Sequence, residues 1–367
     1  MSTRVNVAIV APSMGILGGQ SVQAARLLNS WQNDPAVRAW LVPINPALPP
    51  MLARAKRIKY LRTIVTQLFY WPLLVRELPR ADVVHVFSAS YSAFLISAMP
   101  AVLIAKLFGK PVVLNYHSGQ ARDHLRRSAI ARAVLRRVER VVVPSPFLQV
   151  VFERFDIASH VVPNTIETQQ FPFRRRTVLS PRILSVRSFE ALYNLPCTLR
   201  AFRLVQDRYP EAQLTLVGGG SQKAALHELA GQLGLEHVSF AGPVPPVEMP
   251  RYYADADLYL QTPDIDNMPL SILEAFASGC PVVSTDAGGV PVIVTGGVHG
   301  LLVPRNDPRA AADAVIRLLE DSSLATRLAA AGHETLRRYQ WPLVRSQWLS
   351  VYRVHDAAPG VKEATPA

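Results

Sequence analysis

Short apolar runs rich in Val, Ile and Leu alternate along this chain with longer stretches in which apolar positions recur every three to four residues. A strand buried on both faces reads as a near-continuous hydrophobic run, and an amphipathic helix between two such runs supplies a crossover. The pattern therefore predicts parallel strands joined by helices. NVAIVAP (6–12) is the first run, and it leads through SMGILGGQ (13–20) into a helix predicted from about Ser21 to Gln32. VVHVFSAS (83–90), PVVLNYHSG (111–119) and RVVVPS (140–145) read as later strands of the same half. After VVPNTIETQQFPFRRRTVLSP (161–181), a loop-like stretch with three prolines and three consecutive arginines, a second series begins with RILSVR (182–187). LTLVGGG (214–220), VSFAGPV (238–244), LYLQTP (258–263) and PVVSTDAGG (281–289) continue it, with helices such as QKAALHELAGQLG and SILEAFASG between them. The fold class is α/β, in two parallel-sheet domains expected at 1–170 and 181–335. A terminal helix over 336–354, carrying Trp341, Trp348 and Tyr352, is expected to cross back to the first domain, with a flexible tail at 355–367.

Composition supports two domains: 367 residues exceed one ordinary α/β core, and 49% hydrophobic against 18% charged residues describes a chain with large buried cores. Cys197 and Cys280 lack metal-ligand spacing and sit among apolar neighbours, which favours buried free thiols in a reducing cytoplasm. The opening MSTRVNVAIVAP is too short an apolar run for a signal peptide, and no stretch approaches the ~20 apolar residues of a spanning helix.

The net charge of +12 becomes informative when the chain is divided at residue 176. Residues 1–176 hold 23 Lys and Arg against 8 Asp and Glu, +15, and the remainder hold 16 against 19, −3. A basic first half suggests an anionic surface or a phosphorylated acceptor. Nucleic acid is not expected, because no recognised nucleic-acid-binding pattern accompanies the charge. RAKRIKYLRTIVTQLFYWPLLV, from Arg54, sets Ile58, Leu61, Ile64, Val65 and Leu68 on one helical face with Lys56, Lys59 and Arg62 opposite. Residues 122–140 add seven arginines around Leu125, Ile130, Val134 and Val138. Both segments suit an anionic interface; the alternative is that their apolar faces are buried in their own domain.

The densest chemical signal is DIDNMPLSILEAFASGCPVVSTDAGGVP (264–291). Asp266 lies eight positions before Glu274, and Pro269 suits the first turn of the helix between them. That helix follows a strand, at the edge where open α/β sheets bind ligands, and its amides favour a diphosphate. Spacing alone leaves a second reading open, with Asp266 as a helix cap and Glu274 on a solvated face. Arg187 follows a strand, where it is either a phosphate ligand or a surface ion pair. Gly18 and Gly19, and Gly218 with Gly220, stand at strand-to-helix turns, where they serve either a close phosphate approach or packing. His117 ends a strand facing the other half. Asp255 and Asp257 in RYYADADLYLQ read as capping rather than as a metal motif.

These segments resemble the retaining nucleotide-sugar glycosyltransferases of family 4, often called glycosyl transferases group 1. In that family a carboxylate, seven residues and a Glu followed by Ala mark the donor site; Asp266 occupies the first position here, and Pro269, Glu274 and Ala275 are shared. The family's Arg after the first strand of the second domain matches Arg187. Its Lys five residues later is Leu192, with Tyr193 and Asn194 beside it as in a known variant, and its Glu after G-G-x-P is Val292. The resemblance implies a GT-B fold, in which two Rossmann-like domains face each other across a cleft. It also implies transfer of a sugar from a nucleotide-diphosphate donor with retention of configuration. His117, Arg187, Asp266 and Glu274 are then the catalytic candidates, and Gly18, Gly19, Gly218, Gly220, Tyr193, Asn194, Asn267, Met268 and Pro269 the donor-binding candidates. The acceptor is expected to be lipid-linked or an oligosaccharide, in cell-envelope or exopolysaccharide synthesis, at the inner face of the membrane. No metal or other cofactor is expected. A non-catalytic sugar-nucleotide-binding subunit and a nucleotide-sugar epimerase on the same scaffold are the alternatives.

Overall fold

The computed structural model describes residues 4–16, 18–49, 51 and 59–353. The first sheet contains β1 (Val5–Ala11), β2 (Val37–Pro43), β3 (Val83–Ser88), β4 (Val112–Tyr116), β5 (Arg140–Val143) and β6 (His160–Val161). Its strands are all parallel, in the order β2-β1-β3-β4-β5-β6. Its helices are α1 (Gly19–Trp31), α2 (Lys59–Glu77), α3 (Tyr91–Ala93), α4 (Met99–Leu107), α5 (Ala121–Arg127), α6 (Ala129–Leu135) and α7 (Pro146–Glu153).

A second parallel sheet is built from β7 (Arg182–Val186), β8 (Gln213–Val217), β9 (Val238–Gly242), β10 (Leu258–Gln261), β11 (Val282–Thr285) and β12 (Leu301–Val303), in the order β12-β11-β10-β7-β8-β9. Around it lie α8 (Leu195–Arg208), α9 (Lys223–Gln232), α10 (Met249–Asp255), α11 (Leu270–Ala277), α12 (Val290–Ile293), α13 (Pro308–Glu320) and α14 (Ser322–Glu334), and the chain closes with α15 (Trp341–Tyr352). The α/β class and the two facing sheets are those the sequence predicts. Three strands were not among the predicted ones. β6 and β12 have only two and three residues, and the partly exposed edge strand β2 lacks the dense apolar run of a central strand.

Alternation along β1 divides the first core. Ala8 and Val10 face the layer of α2, α4, α6 and α7, while Val7, Ile9 and Ala11 face α1 and α15. Helix α15 thus packs on the first sheet, where Val344, Trp348, Val351 and Tyr352 are buried and Arg345 grips Asp34 at 2.6 and 3.0 Å. That paired contact lowers the pKa of Asp34. The chain therefore passes between the sheets twice, near 162–181 and near 335–341. The two passages touch, Ile166 N–H donating to the Tyr339 carbonyl at 3.1 Å. In the first passage Arg176 is buried and donates to the carbonyls of Tyr253, Ala256 and Ser278. Asp257, expected with Asp255 to cap, is instead held by Arg174 and by Arg182 at 3.0 Å, which occupies the one buried carboxylate of the two.

Helix α2 departs from the sequence expectation. Arg54, Lys56 and Ile58 lie outside the described residues, as does the tail at 355–367. Of the residues placed on one apolar face, Val65 is buried but Leu61, Ile64 and Leu68 are exposed. Tyr70 and Leu74 take the inward positions, so the row Leu61, Ile64, Leu68, Trp71 and Val75 points to solvent.

Candidate active site

In each sheet the chain order reverses beside the first strand, between β1 and β3 and between β7 and β10. The carboxyl ends of strands at such reversals open into a crevice. The two crevices meet in a cavity of about 750 Å³, a size suited to a nucleotide sugar. Gly18, Gly19 and His117 line it from the first sheet, and Arg187, Tyr193, Gly218, Gly220, Asp266, Asn267, Met268, Pro269 and Glu274 from the second.

Arg187 is the residue immediately after β7, and its N–H donates to the Val217 carbonyl at 2.9 Å. Its guanidinium forms a buried ion pair with Asp266 and lies 5.0 Å from the Tyr193 ring centroid. Burial opposes its charge, but the Asp266 carboxylate and the neighbouring Tyr259, Tyr193 and Tyr253 hydroxyls together outweigh this, leaving its pKa above the ordinary value. Neither the surface ion pair nor the helix cap open at the sequence level is what forms. Asp266 accepts from Arg187 through one oxygen and from the Asn267 N–H, at 2.8 Å, through the other. The Arg187 Nε–H is buried and has no partner among the described residues.

The loop after β8 presses on this site from below. A Cβ on Gly218, whose φ is +142°, would fall 1.8 Å from the Arg187 carbonyl oxygen. Gly218→Ala is expected to lower stability by on the order of 1–3 kcal/mol through backbone strain alone, with the clash adding to it. Gly18 has open space around its Cβ position and caps α1 in an extended conformation, so Gly18→Ala should lower stability less, by about 0.5–1 kcal/mol for the poorer cap. Urea midpoints for the two variants check this; equal midpoints would contradict it.

Asp266, Asn267, Met268 and Pro269 form the loop that enters α11. The first domain holds it directly, since Ser145 Oγ donates to Asn267 Oδ1 and Asn164 Nδ2 to the Met268 carbonyl at 3.2 Å. Pro269 immediately precedes the first residue of α11. Glu274, one turn further, is buried rather than solvated. Its Oε1 accepts from Arg26 Nη2 at 2.9 Å and its Oε2 from the Tyr253 hydroxyl at 3.1 Å. Asn194 is the expected ligand that does not line the cavity. In the left-handed conformation (φ 45°), it caps α8 by accepting from Cys197 N–H at 3.3 Å and donates to Asp264 at 3.0 Å. Leu192 takes the wall where the family's Lys is expected, its carbonyl accepting from the N–H groups of Asp264 and Ile265.

Across the cavity His117 immediately follows β4 and stacks on Phe87, with ring centroids 5.0 Å apart. Burial lowers its pKa to about 4, so the imidazole is neutral at pH 7. Sequence reasoning missed Arg26, Gln23, Ser145, Asn164 and Tyr253. Each reaches the site by a long-range contact that no local spacing encodes.

The family model described as glycosyl transferases group 1 matches residues 169–335, and that of glycosyltransferase family 4 matches 17–170. A phosphatidyl-myo-inositol mannosyltransferase of Mycobacterium leprae is 32% identical over 198 residues, 52% of this chain and 52% of that protein. A D-inositol 3-phosphate glycosyltransferase of Corynebacterium urealyticum is 34% identical over 177 residues, 46% of this chain and 41% of that one. The chain thus spans about half or less of the length of the curated relatives it matches. Among solved structures, Anabaena HepE in complex with UDP-glucose superposes with a TM-score of 0.75 at 18% identity, covering 95% of this chain and all of that one. Sucrose-phosphate synthase from Thermosynechococcus elongatus gives 0.71 at 18%, covering 95% and 98%. With adjoining family models that together take up residues 17–335, and the two-sheet architecture of those structures, the chain belongs to the family 4 glycosyltransferases of the GT-B fold.

Proposed function

We propose that the chain transfers a sugar from a nucleoside-diphosphate donor to an acceptor with retention of configuration. The observation that carries this reading is the convergence of Arg187, Asp266, Glu274 and two glycine turns on one cavity between the sheets. The spare Nε–H of Arg187 and the amides at the start of α1 and around Gly218 to Gly220 suit the diphosphate and the charge it gains on departure. Each Glu274 oxygen accepts one hydrogen bond within the protein, which leaves lone pairs for ribose or sugar hydroxyls. A neutral His117 suits hydrogen bonding to the transferred sugar or the acceptor rather than strong acid catalysis. No metal enters this scheme.

The test is a screen of UDP-, GDP- and ADP-sugars with a host lipid extract. Acceptor-dependent release of nucleotide supports transfer. Binding without release would instead identify a sugar-nucleotide-binding subunit, and acceptor-independent conversion of the donor sugar an epimerase.

For the acceptor we propose a lipid-linked or saccharide molecule carrying negative charge, in cell-envelope or exopolysaccharide synthesis. The names of the two relatives specify phosphorylated inositols, and the +15 of residues 1–176 is matched to such chemistry. No described helix is long and apolar enough to cross a membrane. The reading is instead peripheral, at an anionic inner face, through the outer layer of the first domain. There the α2 row from Leu61 to Val75 is joined by exposed Leu103 and Leu107 of α4 and Ile130 of α6. Exposed Arg62, Arg122, Arg136 and Arg137 belong to the same helical layer or its ends. A basic residue at such a surface contributes about 1 kcal/mol, screened by salt. Co-sedimentation with vesicles should therefore rise with anionic lipid, fall with salt, and drop when Leu68 and Trp71 are changed to Ser. Equal partitioning to neutral and anionic vesicles would refute it.

A further inference from the structure

We infer that Arg26 is a positioning residue for the donor, the first domain's means of setting the donor-site carboxylate of the second. Gly19, Gln23 and Arg26 are spaced i, i+4, i+7 along α1 and so share one face. Gly19 opens on the cavity. Gln23 exchanges two hydrogen bonds with the backbone of Thr165, donating to its carbonyl at 2.9 Å and accepting from its N–H at 3.0 Å. Arg26 reaches the same carbonyl at 3.3 Å and, through its other nitrogen, Glu274 at 2.9 Å. One helix face thus carries an edge of the cavity, a grip on the passage between the domains and the cation of the candidate donor-site glutamate.

The pair is not a surface ion pair, because the side chains of Arg26 and Glu274 are only 7% and 10% exposed. Buried charges of this kind persist only when mutually compensated, and geometry decides their value. The Glu274 carboxylate is held by a guanidinium from one domain at Oε1 and by the Tyr253 phenol from its own at Oε2. Its orientation toward donor hydroxyls is complete only while α1 is docked. Parting of the domains removes the cation from Glu274 and, in the same movement, withdraws the α1 amides from the phosphate end of the cavity. Donor affinity and closure are coupled through this guanidinium.

The inference rests on the reading of Glu274 as acceptor for donor hydroxyls, and the test separates the two. Binding of UDP-glucose and of GDP-mannose to the full chain is measured by calorimetry, and turnover is followed with whichever binds. Arg26→Met should weaken binding and raise KM about tenfold with a smaller loss in kcat, and Arg26→Lys should recover part of it. In a Glu274→Gln background, adding Arg26→Met should change affinity less than twofold, because the partner it acts through is already altered. Equal weakening in both backgrounds, or wild-type affinity in Arg26→Met, would overturn the assignment. A second readout needs no donor: both native cysteines are buried, so spin labels at Met14→Cys and Val247→Cys report the width of the cleft mouth. Arg26→Met should shift the ligand-free distances to longer values, and an unchanged distribution would overturn the coupling. If the wild type binds neither of these two sugar nucleotides, the label distances alone decide the role of Arg26 in closure.

Discussion

Glu274→Gln is expected to lower kcat/KM for transfer by about a hundredfold, roughly 2.7 kcal/mol of transition-state stabilisation, while the protein stays folded. The amide keeps the side chain's size and one acceptor oxygen but loses the charge that faces Arg26 and one of the two acceptor positions. Glu274→Ala behaves differently from what the sequence suggests. A solvated glutamate could be truncated with little effect on stability, but removal of this one strands a buried guanidinium. Breaking such a pair from one side costs about 3–5 kcal/mol. The thermal midpoint of the Ala variant should therefore fall clearly below that of the Gln variant, and its kcat/KM should be at least as low. Wild-type turnover in a folded Gln variant would remove Glu274 from the donor site.

Arg187→Lys is the second large effect. The ammonium keeps a positive charge but gives up the planar fork, the stacking on Tyr193 and the free Nε–H. No lysine stands at residue 192 to share the phosphate charge, so the loss falls on one side chain. Donor affinity or kcat should drop by about tenfold to a hundredfold, with a modest stability change because Asp266 still faces a cation. Steady-state kinetics with the natural donor, beside a denaturation curve, separate the two. Unchanged kinetics would make the Arg187–Asp266 pair a structural brace.

Both sheets were legible because central parallel strands are apolar on both faces, a pattern that survives without any tertiary information. α2 was harder to read. Its apolar residues recur at helical spacing on two sides, and periodicity does not say which side meets the sheet; Tyr70 and Leu74 do, and Leu61, Ile64 and Leu68 do not. In the cleft, strand ends and a helix start single out Arg187, Asp266 and Glu274 but leave a second reading open for each, and the family resemblance chooses between them. Arg26 does not, since its partner lies 248 residues away. Asn194 was read as a donor ligand from the resemblance to a family variant with Tyr-Asn in place of the Lys, yet a short polar side chain just before a helix is also what a cap requires, and in the structure it caps α8.

The return of α15 to the first sheet has a mechanical consequence. A second domain joined by one linker could swivel about it in any direction, whereas this one is tethered by two passages that lie side by side and are bonded between Ile166 and Tyr339. Twisting would have to tear that bond, because the Arg345 grip on Asp34 anchors the far end of the second passage to the first domain. The movement left open is a swing about the line through the two passages, as a door turns on two pins. Such a swing changes the gap between the rims while keeping the glycine turns of the two halves opposite each other.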